Sequence, residues 1–296
     1  MGFSLKKSAF LVTYNPFFAA GGSTFDAIRR AKAEGFSAVE PFPYDDLSTV
    51  EQAKDLGSFA ADEGLTVSCF SDAADLVRCS PDDAVAYMTQ RIDMAAAMGS
   101  AYMHHTVFPD LLPLRLGEPD FHEMLSRAVP VLKRLCAYAS DKGVTCLYEN
   151  QGMYFNGVLG MSRLVEALDG VNFGLCADVG NCQFVDEPAE AIIGAFSARI
   201  RHVHCKDYLR KSGQLPYPGK NWYMTRSGDF LRDTALGSGV VNYINILRLL
   251  QEIGYEGYLS MDVDAPEGAD FAVPVSLDYL DRCYQTVRAS GLQLPG

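Results

Sequence analysis

Short apolar runs and helix-spaced stretches alternate eight times along this chain, with no shift in composition to mark a second domain. The runs cover residues 10–14, 38–42, 66–70, 100–106, 144–149, 172–178, 200–206 and 257–263. They are rich in Val, Phe, Tyr and Leu and mostly bounded by Gly or polar residues, which predicts strands. Helices are predicted near 24–34, 48–63, 81–98, 120–142, 160–169, 187–197, 241–253 and 270–290. Start signals support several of them: Ser23-Thr24 before Phe25, Ser48 with Glu51 three positions on, and Ser80-Pro81-Asp82-Asp83. Gly35, Gly64, Gly99, Gly143, Gly170 and Gly254 stand where a left-handed helix end needs glycine. Eight βα units in succession predict one α/β domain over residues 1–296, a single (β/α)8 barrel. An open doubly wound sheet also alternates, but it rarely needs eight units. The glycine-rich dinucleotide fingerprint after the first strand is also absent.

The last four predicted strands each end on a side chain that can bind a metal. Glu149, Asp178, His204 and Asp262 lie 29, 26 and 58 residues apart, leaving room for a helix in each gap. In a barrel such residues converge at the C-terminal rim, where active sites lie. Three carboxylates and an imidazole suit a hard or borderline divalent ion such as Mn²⁺, Mg²⁺ or Zn²⁺. Each residue also has a plain structural reading. Glu149 could be a strand-end carboxylate held by a lysine or a backbone amide, and Asp178 could simply begin the Asp-Val-Gly-Asn turn. His202 and His204 flank Val203 and so share one face, though strand spacing alone leaves open whether that face is the barrel interior. As a set in matching positions, the four make the metal reading the stronger one.

Composition narrows the partners. The formal net charge of −12 disfavours a nucleic acid, which is bound mainly through excess Lys and Arg. Eight scattered cysteines with no CxxC pair read as buried thiols in a reducing compartment. Lys6-Lys7 before an apolar run imitates a signal peptide, but Asn15-Pro16 interrupts it, and no run is long enough to span a membrane. A cytoplasmic protein without membrane partners is expected.

One connection stands out. Residues 208–239 run without a clear helix and carry Pro216, Pro218, several glycines and the only tryptophan, Trp222. From Lys206 to Arg232 there are six basic residues against two acidic. A long connection after the seventh strand is expected to act as a lid over the site. Its glycines would permit hinge motion, Trp222 would cover an apolar face of a substrate, and Lys206 and Arg226 would meet an anion. A homo-oligomer contact is the alternative use of the same aromatic and proline content.

The segments Tyr148-Glu149-Asn150, Ala177-Asp178-Val179-Gly180-Asn181, His202-Val203-His204-Cys205-Lys206-Asp207, Leu236-Gly237-Ser238-Gly239 and Gly257-Tyr258-Leu259-Ser260-Met261-Asp262 together resemble the xylose isomerase-like TIM-barrel family. That family takes in sugar phosphate isomerases and epimerases, including the D-tagatose 3-epimerase type, and the resemblance runs over essentially the whole chain. It implies one divalent metal, most often Mn²⁺ with Mg²⁺, Co²⁺ or Zn²⁺ as alternatives, held by Glu149, Asp178, His204 and Asp262. It further implies Glu149 and Asp262 as acid/bases, with Glu149 the stronger because Asp262 reaches less far. His104 is implied as a substrate contact, since only one of His104 and His105 can enter the barrel. Asn181, a further substrate-binding candidate, stands where the family often has His. Lys206 and, at the end of strand two, Glu40 are further substrate-binding candidates, while His122 reads as surface.

Three departures bear on the reaction. The strand-eight ligand is usually Glu, and Asp264 could compete with Asp262 for that role. Asn181 replaces His, and Gly237-Ser238-Gly239 replaces Gly-Glu-Gly. The expected substrate is a free or phosphorylated sugar. The expected activity is a metal-dependent isomerase or epimerase that abstracts a proton next to a carbonyl and stabilises an enediolate. A dehydratase of the same scaffold, acting on an inosose or dehydroshikimate, begins with the same step and is the alternative. An endonuclease IV-like nuclease is a remote third, because it needs more histidine ligands than this chain supplies.

Overall fold

The computed structural model describes residues 3–111 and 119–290. Strands β1 (Lys7–Phe10), β2 (Ala38–Glu40), β3 (Thr66–Val67), β4 (Phe70–Asp72), β5 (Tyr102–His105), β6 (Thr145–Glu149), β7 (Gly174–Asp178) and β8 (Ile200–Cys205) come in that order along the chain. A small sheet of β9 (Asp207–Lys211), β10 (Tyr223–Met224) and β11 (Phe230–Thr234) follows, then β12 (Leu259–Met261). The large sheet is parallel throughout, in the order β3-β2-β1-β12-β8-β7-β6-β5-β4. Its two ends are halves of one strand interrupted at Ser68-Cys69. The Ser68 and Ser71 amides donate to the carbonyls of Val39 and Pro41 across the break, at 2.9 and 3.0 Å. The sheet therefore closes, and the predicted eight-stranded barrel is the fold.

The helices α1 (Asn15–Ala19), α2 (Thr24–Ala33), α3 (Val50–Asp62), α4 (Pro81–Ala97), α5 (Phe121–Asp141), α6 (Gly157–Ala167), α7 (Ala189–Phe196), α8 (Tyr243–Glu252) and α9 (Ala269–Ser290) surround it. Their apolar stripes explain the packing. In α5, Met124, Ala128, Val131, Leu132, Leu135, Cys136 and Ala139 recur every three or four residues and are buried against the barrel. Ser23 and Ser80 cap α2 and α4 as their sequences predict. The α3 cap is Thr49, not Ser48, because Gln52 completes a reciprocal capping box one residue later.

The first strand differs from expectation. β1 ends at Phe10, and Leu11–Tyr14 forms a 3-10 turn, with Leu11, Thr13 and Tyr14 buried. Thr13 explains this local shape. Its hydroxyl donates to the Met261 carbonyl and accepts the Val263 amide, tying the turn to the end of β12. A short apolar run looks the same whether it is a strand or a buried turn. The 208–239 connection likewise is not all loop. β9, β11 and β10 form an antiparallel meander, and Asp207 pins its base by accepting the amides of Tyr208, Val241, Gly237 and Gly239. A Cβ at position 239 would lie 2.1 Å from Asp207 Oδ1, so this close return requires glycine.

Candidate metal centre

Strand register decides which side chains enter the barrel. Asp178 and Ser260 flank His204, Cys176 lies beside His202, and Glu149 lies beside Cys176. Because side chains alternate along a strand, Glu149, Asp178, His202, His204 and Asp262 all project into one interior. His104 is beside Ser71 and enters as well. His105 turns outward against the Tyr148 ring, with centroids 5.1 Å apart. The question that strand spacing left open for His202 and His204 is thereby answered.

One candidate ligand atom from each of Glu149, Asp178, His204 and Asp262 lies within 4.8 Å of the others, and all four residues are buried. Asp264 is exposed and contributes no atom to this group. Neighbouring residues fix each ligand in place. Asp178 Oδ1 accepts the amides of Gly180 and Asn181 at 2.8 Å, while the Asn150 side chain pairs with the backbone N–H and C=O of Asp178. His204 Nε2–H donates to Glu40 at 2.9 Å, and His202 Nε2–H donates to the other oxygen of Glu40 at 2.7 Å. Ser71 also donates to Glu40. Burial alone would raise the Glu40 pKa, but the His204 and His202 imidazoles outweigh it and hold the carboxyl well below its ordinary range.

This carboxylate sets the histidine tautomer. With its proton at Nε2, His204 offers the Nδ1 lone pair to the centre, 2.9 Å from Glu149 Oε1 and 3.9 Å from Asp262 Oδ2. A lone pair facing a carboxylate is repulsive unless a proton or a cation lies between them. Asp178 Oδ2 gives a second sign of missing positive charge. It is buried, makes no hydrogen bond, and has Lys206 Nζ at 3.8 Å. Burial, then Glu149 and Asp262 against the opposing pull of Lys206, pushes the Asp178 carboxyl up to about 8. The donor set therefore fits a divalent cation, which would compensate these charges.

The other predicted residues are placed as follows. His104 Nε2 lies 3.5 Å from Glu149 Oε2, and its Nδ1–H donates to Ser71 at 3.0 Å. Asn181 is buried with its Oδ1 accepting from the Tyr208 hydroxyl at 3.4 Å. Lys206 Nζ is 2.7 Å from Asp262 Oδ2, so its charge is engaged within the site. Glu40 is fully buried and its oxygens are occupied by His202, His204 and Ser71, so it orients His204 and does not face a substrate. Arg226 donates to the Met153 carbonyl in a cleft with Phe121, Tyr154 and Leu159 that none of the four ligands lines. The Trp222 ring lies under Lys211 and Arg232, at 4.9 and 5.9 Å. Both cations are on the sheet face opposite Tyr208 and Asp233, so Trp222 turns away from the centre. The basic excess is largely spent locally, since Arg210 pairs with Asp186 and Asp229, and Arg232 with Glu267.

Three participants were not singled out from sequence. Ser71 and Cys176 line the interior but look like ordinary strand residues. Asp233 stands in the polar half of Phe230-Leu231-Arg232-Asp233-Thr234, where nothing local marks it as buried.

A family model for the xylose isomerase-like TIM barrel matches residues 28–283, and the chain belongs to that family. Among curated relatives, an uncharacterized protein of Methanocaldococcus jannaschii, MJ1311, is 29% identical over 163 residues, covering 53% of this chain and 49% of the relative. An inosose dehydratase of Clostridium perfringens is 26% identical over 151 residues, covering 50% and 48%. The matches thus span about half the length of these relatives. Three solved structures share the fold. A mannonate dehydratase from Streptococcus suis superposes with a TM-score of 0.73 at 14% identity over 99% of this chain and 97% of its own. A Methylomonas D-allulose 3-epimerase in complex with D-allulose gives 0.71 at 18% identity over 96% and 99%. A Mycobacterium smegmatis xylose isomerase-like barrel in complex with magnesium gives 0.65 at 19% identity over 89% and 88%. At these identities the structural likeness speaks to the fold alone.

Proposed function

We propose that this protein is a metal-dependent isomerase or epimerase of a free or phosphorylated sugar. The observation that carries this reading is the convergence of Glu149, Asp178, His204 and Asp262, with one oxygen of Asp178 buried and unpaired. A divalent ion there, Mn²⁺ or Mg²⁺ by donor type, would acidify the C–H beside a carbonyl and carry the charge of the resulting enediolate. The chain's own residues do the rest. Glu149 is the base. Burial alone would favour its neutral form, and a cation held at the centre would keep it ionised. Lys206 holds Asp262 in place through its contact at 2.7 Å, and the β9–β11 sheet acts as the lid that excludes water. The D-allulose and magnesium complexes of barrels with this fold accord with the reading.

Dehydration is the second reading, favoured by the inosose dehydratases among the sequence relatives. It shares the first step and then expels a β-hydroxyl. Solvent deuterium exchange tests the shared step. With Mn²⁺ and a panel of ketoses, ketose phosphates and inososes in D₂O, the parent should incorporate deuterium beside the carbonyl. Glu149→Gln should lower that rate by about 10²–10⁴-fold, and a loss of less than tenfold would remove Glu149 from the role. An epimer or an aldose as product supports the first reading, and an unsaturated product supports the second.

A further inference from the structure

The small sheet turns one face toward the barrel mouth. Antiparallel register sets Asp233 opposite Tyr208, and Leu231 opposite Tyr223 on its other flank, so these four side chains share that face. Tyr208, Leu231 and Tyr223 pack against Met153 and Phe184 and hold the face down. Asp233 is only 7% exposed, and its Oδ1 has no hydrogen-bond partner. Ionised, such an oxygen would carry a large desolvation cost with nothing to offset it. The charged and titratable groups around it are Lys206 at the end of β8, Asp262 and Asp264 beyond β12, Asp178 at the end of β7, and Tyr208 and Tyr223 of its own sheet. Glu149 sits on another flank of the centre, between His104 and His204.

Inverting a carbon needs one group to take a proton from one face and another to return a proton to the opposite face. Asp262 is poorly suited to the return, because it is one methylene shorter than Glu and its Oδ2 is held by Lys206 at 2.7 Å. We propose that Asp233, carried by the lid, is the second proton-transfer group of the site and protonates the reacting carbon from the side opposite Glu149. This inference rests on the isomerase or epimerase reading above. Burial, with no partner on Oδ1 to offset it, favours the neutral form of the Asp233 carboxyl, the form that can donate. The step balances without any oxidant or reductant. Glu149 takes the proton, and the C–H electron pair moves into the enediolate. The Asp233 O–H bond then breaks, and its proton and the enediolate electron pair form the new C–H bond on the other face. Glu149 ends protonated and Asp233 ionised, and proton exchange with water resets both.

The test uses the full chain loaded with Mn²⁺, with D-allulose in D₂O as the probe. Asp233→Asn should lose inversion by about 10²–10⁴-fold while deuterium still enters the unconverted sugar, because Glu149 continues to exchange its own face. Asp233→Glu, which keeps an acid there, should recover part of the inversion. Titration with Mn²⁺ alone should be unchanged in Asp233→Asn. Without any substrate, the parent at neutral pH should show the infrared C=O band of a protonated carboxyl that Asp233→Asn lacks. Inversion within tenfold of the parent in Asp233→Asn, loss of Mn²⁺ binding in that variant, or absence of the infrared band would overturn the proposal. A parent that neither exchanges nor inverts D-allulose or any ketose in the panel would instead overturn the reaction reading, and the infrared band would still decide whether Asp233 is a neutral acid.

Discussion

Glu40 shows how one buried residue can govern a site it does not line. Its carboxylate accepts from His204 Nε2 and so leaves Nδ1 free to face the other ligands. Glu40→Gln keeps the shape but can present an N–H to the ring, which allows the wrong tautomer. Loss of a partner behind a metal-binding histidine typically costs about 10–100-fold in metal affinity. Glu40→Gln should therefore weaken Mn²⁺ binding by about that factor in calorimetric titration, with circular dichroism unchanged. Binding equal to the parent would show that Glu40 does not set the tautomer. His105 makes a separate prediction about pH. It is fully buried, its Nδ1–H donates to the Thr106 carbonyl at 2.9 Å, and its Nε2 has no partner. Burial, assisted by His104 and opposed by the Thr106 bond, pushes its pKa down to about 4. In the unfolded chain the ring takes a proton near its ordinary pKa of about 6.5, and in the folded chain it stays neutral. The stabilisation from a neutral His105 is thus complete above that value and is lost as pH falls toward 4, on the order of 3 kcal/mol in all. Urea denaturation of the parent across that window should show a steeper loss of stability than His105→Gln, and parallel curves would remove His105 as the cause.

At the scale of elements, the sequence was most legible where periodicity and caps agree. The eight predicted helices, α2 to α9, begin and end within about three residues of their expected bounds because polar caps and terminal glycines mark most of them, whereas the short α1 was not expected. The connection after β8 was less legible. Its strands are short, and its two ends are joined by one buried acid, Asp207 at the start of β9, which reaches amides 30 to 34 residues further along the chain. Asp207 accepts four backbone amides from both ends of the meander, a pattern that no local propensity encodes. Each amide left without a partner costs roughly 1–3 kcal/mol where water cannot reach it. Asp207→Ala should therefore loosen the lid selectively. Limited proteolysis should cut faster within the exposed residues 212–217, while Mn²⁺ affinity stays near that of the parent. Equal cutting rates in parent and variant would show that the meander holds without this anchor. Trp222 illustrates the other limit. The sole indole invites a reading as a sugar platform, yet the pairing of Arg232 with Leu209 and of Lys211 with Phe230 turns the face it occupies outward. A sheet's two faces differ only by register, and register is set by partners distant in sequence.

For the whole molecule, the order of the four candidate ligands along the chain was the clearest pointer to the proposed function, because barrel closure turns strand-end positions into convergence. The polar lining beneath them was not legible, since Ser71 and Glu40, from β4 and β2, meet each other and the histidines of β8 and β5 only once the ring has closed. Closure also links the site to global stability. Glu149, Asp178, His204 and Asp262 come from β6, β7, β8 and the end of β12, which are consecutive around the ring. In the metal-free protein three carboxyls crowd together out of water, and burial first, then Glu149 and Asp262, raises the Asp178 carboxyl. A cation that binds only the folded barrel should stabilise it by mass action, by about 2.7 kcal/mol at a free concentration of 100 Kd. Thermal unfolding should accordingly move up by several degrees with Mn²⁺, return with a chelator, and stay put in His204→Ala at the same metal concentration. Asp264→Asn should respond like the parent, since its side chain is exposed and outside the ligand group. A parent whose melting temperature ignores Mn²⁺, Mg²⁺, Co²⁺ and Zn²⁺ alike would show that the four residues do not form a metal site. A variant at Asp264 that loses the shift while Asp262→Asn keeps it would move the fourth ligand two residues along the chain.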